Sequence, residues 1–132
     1  MAGATLPSVN SVITPTQIEH ARDVTNDIYV DKKIKEYVLD IVLATRNPEQ
    51  NGLAQLSHLI SYGASPRASI YMISAARAHA FLKGRGYVTP EDIKQIAPDI
   101  LRHRVITTYE AEAEEITSEN IVQNILNDIE VP

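Results

Sequence analysis

The segment Gly63–Ala68, which reads GASPRA, contains the side chain best placed to do chemistry in this sequence. Ser65 and Pro66 predict the start of a helix, with the serine hydroxyl as the cap and the proline in the first helical position. Arg67 follows, and a cation is unfavourable at the positive end of a helix dipole. No carboxylate occurs within four residues on either side of this arginine.

Arg67 can be interpreted in two ways on spacing alone. It can be an exposed side chain that extends into water or pairs with a distant carboxylate. Alternatively, an anionic ligand belongs beside it, because helix N-termini bind phosphate and the planar guanidinium suits phosphate oxygens. In the second case the anion would offset the unfavourable interaction with the dipole.

The remaining polar residues give weaker indications of chemistry. No two histidines are spaced three or four residues apart and there is no cysteine, so no metal site is predicted. His79 lies in an apolar run, which favours a packed, hydrogen-bonded role. The sequence has no nucleophile-elbow motif and therefore gives no support for hydrolase chemistry.

Two groups of charges allow a structural and a functional interpretation each. Arg46, Arg102 and Arg104 follow apolar helical stretches, where cations complement the dipole. They could instead contact another domain or a neighbouring subunit. The acidic stretch Glu110–Glu115 is predicted to be a solvated face, with contact to a basic partner as the alternative.

Composition limits the class of protein. The chain has 132 residues, of which 44% are hydrophobic and 22% charged, so one packed domain is expected. The net charge of -5 disfavours a general nucleic-acid binder. The absence of cysteine suits a reducing cytoplasmic location. No apolar run approaches the roughly 20 residues of a membrane span, and no secretory signal is recognisable, so no membrane insertion is expected.

The elements that must position Arg67 are predicted to be helices. Three starts share a hydroxyl cap followed by proline, at Thr14, Ser65 and Thr89. Predicted helices cover about 15–28, 31–46, 66–83 and 118–128. A further helix is predicted to begin at Pro90 and to end near Arg102–Arg104, with Pro98 expected to kink or split it. The fold class is therefore all-α, a small helical bundle with at most a trace of strand near VITTY, residues 105–109.

Apolar periodicity predicts which helix faces are covered. In the second helix the stripe Ile34, Tyr37, Val38, Ile41 and Val42 predicts a buried face. Leu39 and Leu43 widen it, so burial on more than one side is expected. The helix 66–83 is apolar almost all round and is expected at the centre of the bundle, with Gly84 as its C-terminal cap.

The segments VTNDIYVDKKIKEYVLDIVLATRNP and GASPRASIYMISAARAHAFLKGRGYVTPEDIKQIAPDILRHRVITTYEAEAE resemble the C-terminal part of MoxR-type AAA+ ATPases. The similarity runs from about Ile13 to Ile125. The specific motifs are GASPRA, GRGYVTPEDI, LRHR and YEAEAE, in this order and spacing. The resemblance implies a helical AAA+ lid domain over residues 13–132, with residues 1–12 as an interdomain linker or an added tail.

The resemblance also implies a function for the first motif. Arg67 would be the sensor 2 arginine that contacts the γ-phosphate of ATP, and Ser65, Pro66 and Ala68 would form the helix N-terminus beside that phosphate. ATP and Mg²⁺ would be held mainly by an AAA+ core domain of the same protein. The family further implies a homo-oligomeric ring, chaperone-like remodelling and von Willebrand factor A-domain partners.

The sequence departs from a complete ATPase in several respects. It has no GxxxxGK[ST] phosphate loop, and no apolar strand ends in the paired acids that would hold Mg²⁺. No catalytic residue is therefore expected in this fragment, which should not hydrolyse ATP alone although the parent protein would. Glu115 stands where MoxR-type sequences often have glycine. The alternative function is a free-standing helical protein–protein interaction module without nucleotide. A DNA-binding helical domain is disfavoured by the acidic composition.

Overall fold

The fold is helical, as the sequence predicts. The computed structural model describes residues 5–132. Its α-helices are α1 (Pro15–Asn26), α2 (Lys32–Arg46), α3 (Arg67–Leu82), α4 (Pro90–Leu101), α5 (Tyr109–Ala113) and α6 (Ser118–Asp128). Two 3₁₀ segments, Glu49–Asn51 and Ala54–Leu59, connect α2 to a short strand. That strand, β1 (Ile60–Tyr62), pairs antiparallel with β2 (Ile106–Thr107).

The cap-and-proline starts at Thr14 and Thr89 are confirmed. Each threonine accepts a hydrogen bond from the backbone three residues on, and the side chain of that residue accepts one in return from the threonine backbone. The third start differs slightly from the prediction. Regular helix begins at Arg67 rather than Pro66, although Pro66 already has helical dihedral angles. Pro66 therefore occupies the N-cap position predicted for Ser65, although Ser65 Oγ accepts a hydrogen bond from the Arg67 amide at 3.3 Å.

The predicted inner face of α2 is confirmed, and the predicted second covered face is wrong. All five residues of the stripe are buried. In contrast, Leu39 and Leu43 remain 46% and 36% exposed. Periodicity shows that a helix has an apolar side, but the described chain supplies no element to cover these two leucines.

Helix α3 has the predicted central position, since it contacts α1, α2 and α4, but it is not buried all round. Its buried residues, Ala68, Met72, Ala76 and Ala80, recur every four residues and form a single line. Most of the α3 packing is against α4, and the three alanines allow close approach there. On the outer side, Ile70 and Leu82 are 64% and 80% exposed.

The C-terminal end of α3 has a clear local cause. Gly84 has φ 72°, and the amides of Gly84 and Arg85 donate to Phe81 and Ala80 respectively, both at 2.9 Å. This is a Schellman motif, so the predicted glycine cap is confirmed.

Helix α4 is not split at Pro98, since it continues through this residue to Leu101.

One hydrophobic core lies between α2, α3, α4 and α6. Val38, Ile93, Leu101 and Ile121 have no exposed surface at all. Helix α1 contributes no buried residue and lies against α3. No helix in residues 5–132 is long and apolar enough to span a membrane.

The ends of the predicted domain are only partly described. Residues 1–4 of the predicted linker 1–12 lie outside the described residues, and residues 5–12 have no regular secondary structure and are exposed. The boundary at residue 13 stays a prediction. Glu115 adopts φ 58° just after α5, a left-handed conformation that glycine tolerates better than glutamate does.

Candidate functional site

Arg67 is exposed at the first turn of α3. Within residues 5–132, no carboxylate lies within 4.0 Å of its guanidinium. The first turn of α3 also holds no acidic residue. The unfavourable placement of a cation at this helix end is therefore not offset inside the described chain.

The backbone donors beside Arg67 already have acceptors. Its own amide donates to Ser65 Oγ at 3.3 Å, the Ala68 amide to Ser65 O at 2.8 Å, and the Ser69 amide to Pro66 O at 3.1 Å. Pro66 has no N–H, and Ala68 is fully buried. The groups open to an anion are thus the Arg67 guanidinium and the exposed Ser65 hydroxyl, while Pro66 and Ala68 form the frame.

The loop before Arg67 is fixed by the last turn of α2. The buried Thr45 hydroxyl accepts from the Ala64 amide at 2.9 Å and donates to Val42 O at 2.6 Å. Arg46 donates from Nη1 to Ala64 O at 3.1 Å. Both backbone polar groups of the buried Ala64 are therefore held by neighbouring residues of one helix.

Glycine is required at position 63 because the loop backbone lies directly against the last turn of α2. A Cβ atom at this position would lie 2.2 Å from the Thr45 carbonyl oxygen, which is far inside van der Waals contact. The two backbones can approach this closely only without a side chain. Sequence reasoning missed Thr45. For Arg46 it offered the dipole of its own helix or contact with another domain or subunit, and nothing local to either residue indicates a partner 18 or 19 positions away.

A second polar cluster lies at the other end of α3, around Asp92 of α4. Arg85 donates to both carboxylate oxygens, at 2.8 and 2.5 Å, and His79 Nδ1 lies 2.7 Å from Oδ1. The backbone and hydroxyl of Thr89 also donate to Asp92. Asp92 is 1% exposed, so the cluster is a buried hub joining α3, the following loop and α4.

The electrostatics of Asp92 favour its charged form. Burial alone would raise the pKa of this carboxyl. The hydrogen bonds from Arg85, Thr89 and His79 outweigh burial, however, and hold the pKa of Asp92 well below its ordinary value. The expected packed, hydrogen-bonded role of His79 agrees with this geometry.

The arginines of LRHR have acceptors within the chain. Arg102 pairs with Asp99 and with Glu119, the latter at 3.0 Å. Arg104 donates to Ile100 O, and its guanidinium lies over the Tyr71 ring, 5.1 Å from the centroid. These contacts support the structural interpretation of the motif.

The acidic stretch forms an exposed face, as predicted. Glu110, Glu112, Glu114 and Glu115 are all exposed, and α5 is anchored through the buried Ala111. Only Glu114 among these four acids lies within 4.0 Å of a basic side chain of the described chain, with its Oε1 3.6 Å from His58 Nε2.

The helical architecture and its GASPRA start define a known class of domain. Residues 54–125 match the AAA lid domain family, so the chain belongs to that family. Its similarity to MoxR proteins places it among the MoxR-type AAA+ lids.

Two curated relatives and one solved structure give the details. The chain is 36% identical to Chaperone MoxR1 of Mycobacterium tuberculosis over 98% of its own length and 34% of the relative. It is 42% identical to the uncharacterised protein YeaC of Bacillus subtilis, over 84% of this chain and 32% of that protein. A solved structure of a candidate ATPase from Cytophaga hutchinsonii matches with a TM-score of 0.85 and 40% identity, covering 89% of this chain and 36% of that one. The chain thus spans about a third of the length of these relatives.

Proposed function

We propose that this domain is the nucleotide-sensing lid of a MoxR-type ATPase and that Arg67 is its sensor 2 residue. The guanidinium would meet the γ-phosphate of ATP bound by a core domain of the same protein. The observation that carries the proposal is an exposed cation at the positive end of α3, without a counter-charge in the described residues and on a rigid frame.

Most other arginines have a role inside the domain. Five of the seven donate to an acceptor in the described chain: Arg46, Arg77, Arg85, Arg102 and Arg104. Arg22 has no such acceptor in the described chain, but it lies in the middle of α1 rather than at a helix start. Arg67 therefore combines availability with a position where an anion is favoured.

The chain supplies one part of a nucleotide site. Arg67 and the Ser65 hydroxyl suit one terminal phosphate, since a guanidinium binds phosphate oxygens through two parallel donors. The phosphate-loop motif is absent from the sequence, so the base, the ribose, the remaining phosphates and Mg²⁺ would be bound by the core. When ATP is bound, its γ-phosphate supplies the charge that Arg67 lacks.

Sensing follows from the rigid attachment of Arg67. A contact with the γ-phosphate would favour one angle between lid and core, and loss of that phosphate would remove the preference. The parent protein would use this change for chaperone-like remodelling within a cytoplasmic homo-oligomeric ring, with von Willebrand factor A-domain proteins as partners. The description of the Mycobacterium tuberculosis relative as a chaperone supports this part of the proposal.

The deciding experiment compares Arg67→Ala with Arg22→Ala in the polypeptide that carries this domain and its core. We expect Arg67→Ala to lower ATP turnover at least ten-fold, or about 1.4 kcal/mol of transition-state stabilisation. Arg22→Ala is the control, because Arg22 also lacks an acceptor in the described chain. Its turnover should stay within two-fold of the wild type, a change in activation free energy of about 0.4 kcal/mol or less. Equal turnover in the Arg67 variant and the wild type would refute the sensor role.

The alternative, a free-standing interaction module, is favoured by one observation. Leu39, Ile70 and Leu82 form apolar surface that the described chain leaves exposed. This function predicts no dependence on nucleotide and no phosphate loop in the reading frame. A measured ATPase activity that depends on Arg67 would exclude it.

A further inference from the structure

We infer that Thr45 is a positioning residue for Arg67 and that its hydroxyl sets the place from which the guanidinium reaches its anion. The inference rests on the proposed function of Arg67 and adds a residue from a different helix. Thr45 lies in the last turn of α2, has no exposed surface, and is 22 positions before the arginine it would act on.

The hydroxyl group of Thr45 is fully used. It has one proton, which it donates to Val42 O at 2.6 Å, and it accepts the Ala64 amide at 2.9 Å. Valine has nearly the same shape but neither capability. At this buried site valine would leave the Ala64 amide without a partner, a costly state for a backbone donor.

The link from Ala64 to Arg67 is short and constrained. Ala64 and Ala68 are both fully buried, so they fix the chain on either side of the arginine. Between them, Ser65 accepts both the Arg67 and the Ala68 amides. Gly63 holds the loop backbone against the Thr45 carbonyl. Loss of the Thr45–Ala64 hydrogen bond would therefore displace the first turn of α3 and the Arg67 guanidinium with it. A small displacement of a group that contacts the reacting phosphate lowers the rate strongly.

The test is a double-mutant cycle in the ATPase that contains this domain and its core. Thr45→Val should lower kcat for ATP hydrolysis about ten-fold with a smaller change in KM, and Thr45→Ser, which keeps the hydroxyl, should restore most of the rate. In the Arg67→Ala background, Thr45→Val should cause less than a two-fold further loss, because the residue through which it acts is gone.

Two further variants separate positioning from loss of stability. Ile121→Val trims the core in α6, far along the chain from the loop, and should lower the unfolding midpoint without lowering kcat. If Thr45→Val does not fold, Arg46→Ala replaces it, since Arg46 holds the Ala64 carbonyl; it should lower kcat about three-fold, again only when Arg67 is present. Hydrogen exchange in the 132-residue chain should show a deprotected Ala64 amide in Thr45→Val.

The outcomes distinguish the two proposals. If Arg67→Ala leaves turnover unchanged, the sensor function and the positioning role both fail. If Arg67→Ala lowers turnover while Thr45→Val and Arg46→Ala do not, the sensor function stands and the positioning role is overturned. An equal loss of kcat from Thr45→Val with and without Arg67 would also overturn it, because the effect would then be independent of the arginine.

Discussion

The arginines at the two ends of α3 lie in opposite electrostatic environments. At the C-terminal end, Arg85 donates to both oxygens of the buried Asp92, which also binds Thr89 and His79. At the N-terminal end, Arg67 extends from a rigid turn and meets no carboxylate in residues 5–132. The same side chain serves stability where its charge is compensated inside the domain and remains available for a ligand where it is not.

The surroundings of the two arginines explain the difference. Asp92 lies in the first turn of α4, where a negative charge is favoured by the dipole, and it accepts hydrogen bonds from Arg85, Thr89 and His79. The frame around Arg67 is equally well bonded, through backbone groups, the Ser65 and Thr45 hydroxyls and the Arg46 guanidinium, but none of these bonds involves the Arg67 guanidinium. The loop is therefore held in place, while the Arg67 guanidinium has no acceptor in the described chain.

Removing Asp92 gives the largest expected effect on stability. Asp92→Ala should lower the free energy of unfolding by about 3 kcal/mol, because it leaves Arg85 without its partner and the Thr89 amide without an acceptor. Urea denaturation measures this loss. Asp99→Ala on the same helix removes an aspartate that is 75% exposed and also pairs with an arginine, and it should cost little. Similar losses from the two variants would mean that the buried hub is no more important than a surface pair.

Acid should weaken the same end of α3. The folded pKa of Asp92 lies below its unfolded value, so its stabilisation is complete above about pH 4 and is lost as the pH falls further. The groups facing it are Arg85, which stays charged, and His79. Between pH 5 and pH 3 the urea midpoint of the wild type should therefore fall more steeply than that of Asp92→Asn. Parallel slopes would show that Asp92 titrates normally in the folded protein.

Replacing Arg67 should have the smallest effect on stability, and it should stabilise the fold rather than destabilise it. In the isolated chain, Arg67→Ala should raise the unfolding midpoint by about 1–4 °C, because it removes an uncompensated cation from the positive end of α3. Arg85→Ala should lower it, because that cation is paired. Calorimetry on both variants tests the contrast directly, and a clear fall for Arg67→Ala would mean that this side chain stabilises the fold.

The sequence predicted five of the six α-helices in the described chain, missing only α5, and it identified the candidate residue. Hydroxyl–proline pairs and five-residue apolar stripes are local signals, and α1, α2, α4 and α6 begin within one residue of their predicted starts. The anomaly at Arg67 was visible because helix polarity depends only on neighbouring residues. The resemblance to MoxR-type proteins agreed with it independently.

The sequence could not reveal contacts that depend on packing. The apolar patterns around Leu39 and Ile70 do not show whether another element covers them, and here both are exposed. The hydrogen bond from Ala64 to Thr45 joins residues 19 positions apart. Asp92 was recognisable as a favourable first-turn acid, but its burial with Arg85 and His79 depends on how α3 and α4 cross.

The length of α3 has a mechanical consequence for the two ends. Sixteen helical residues form a rod of about 24 Å, with the Asp92 hub near one tip and the Arg67 guanidinium at the other. If the whole domain rotates by about 10° about an axis near the hub, the far tip moves through about 4 Å, more than the 2.7–3.2 Å that a hydrogen bond spans. A small rotation of the domain with its internal packing unchanged would then be enough to make or break a contact between Arg67 and a phosphate.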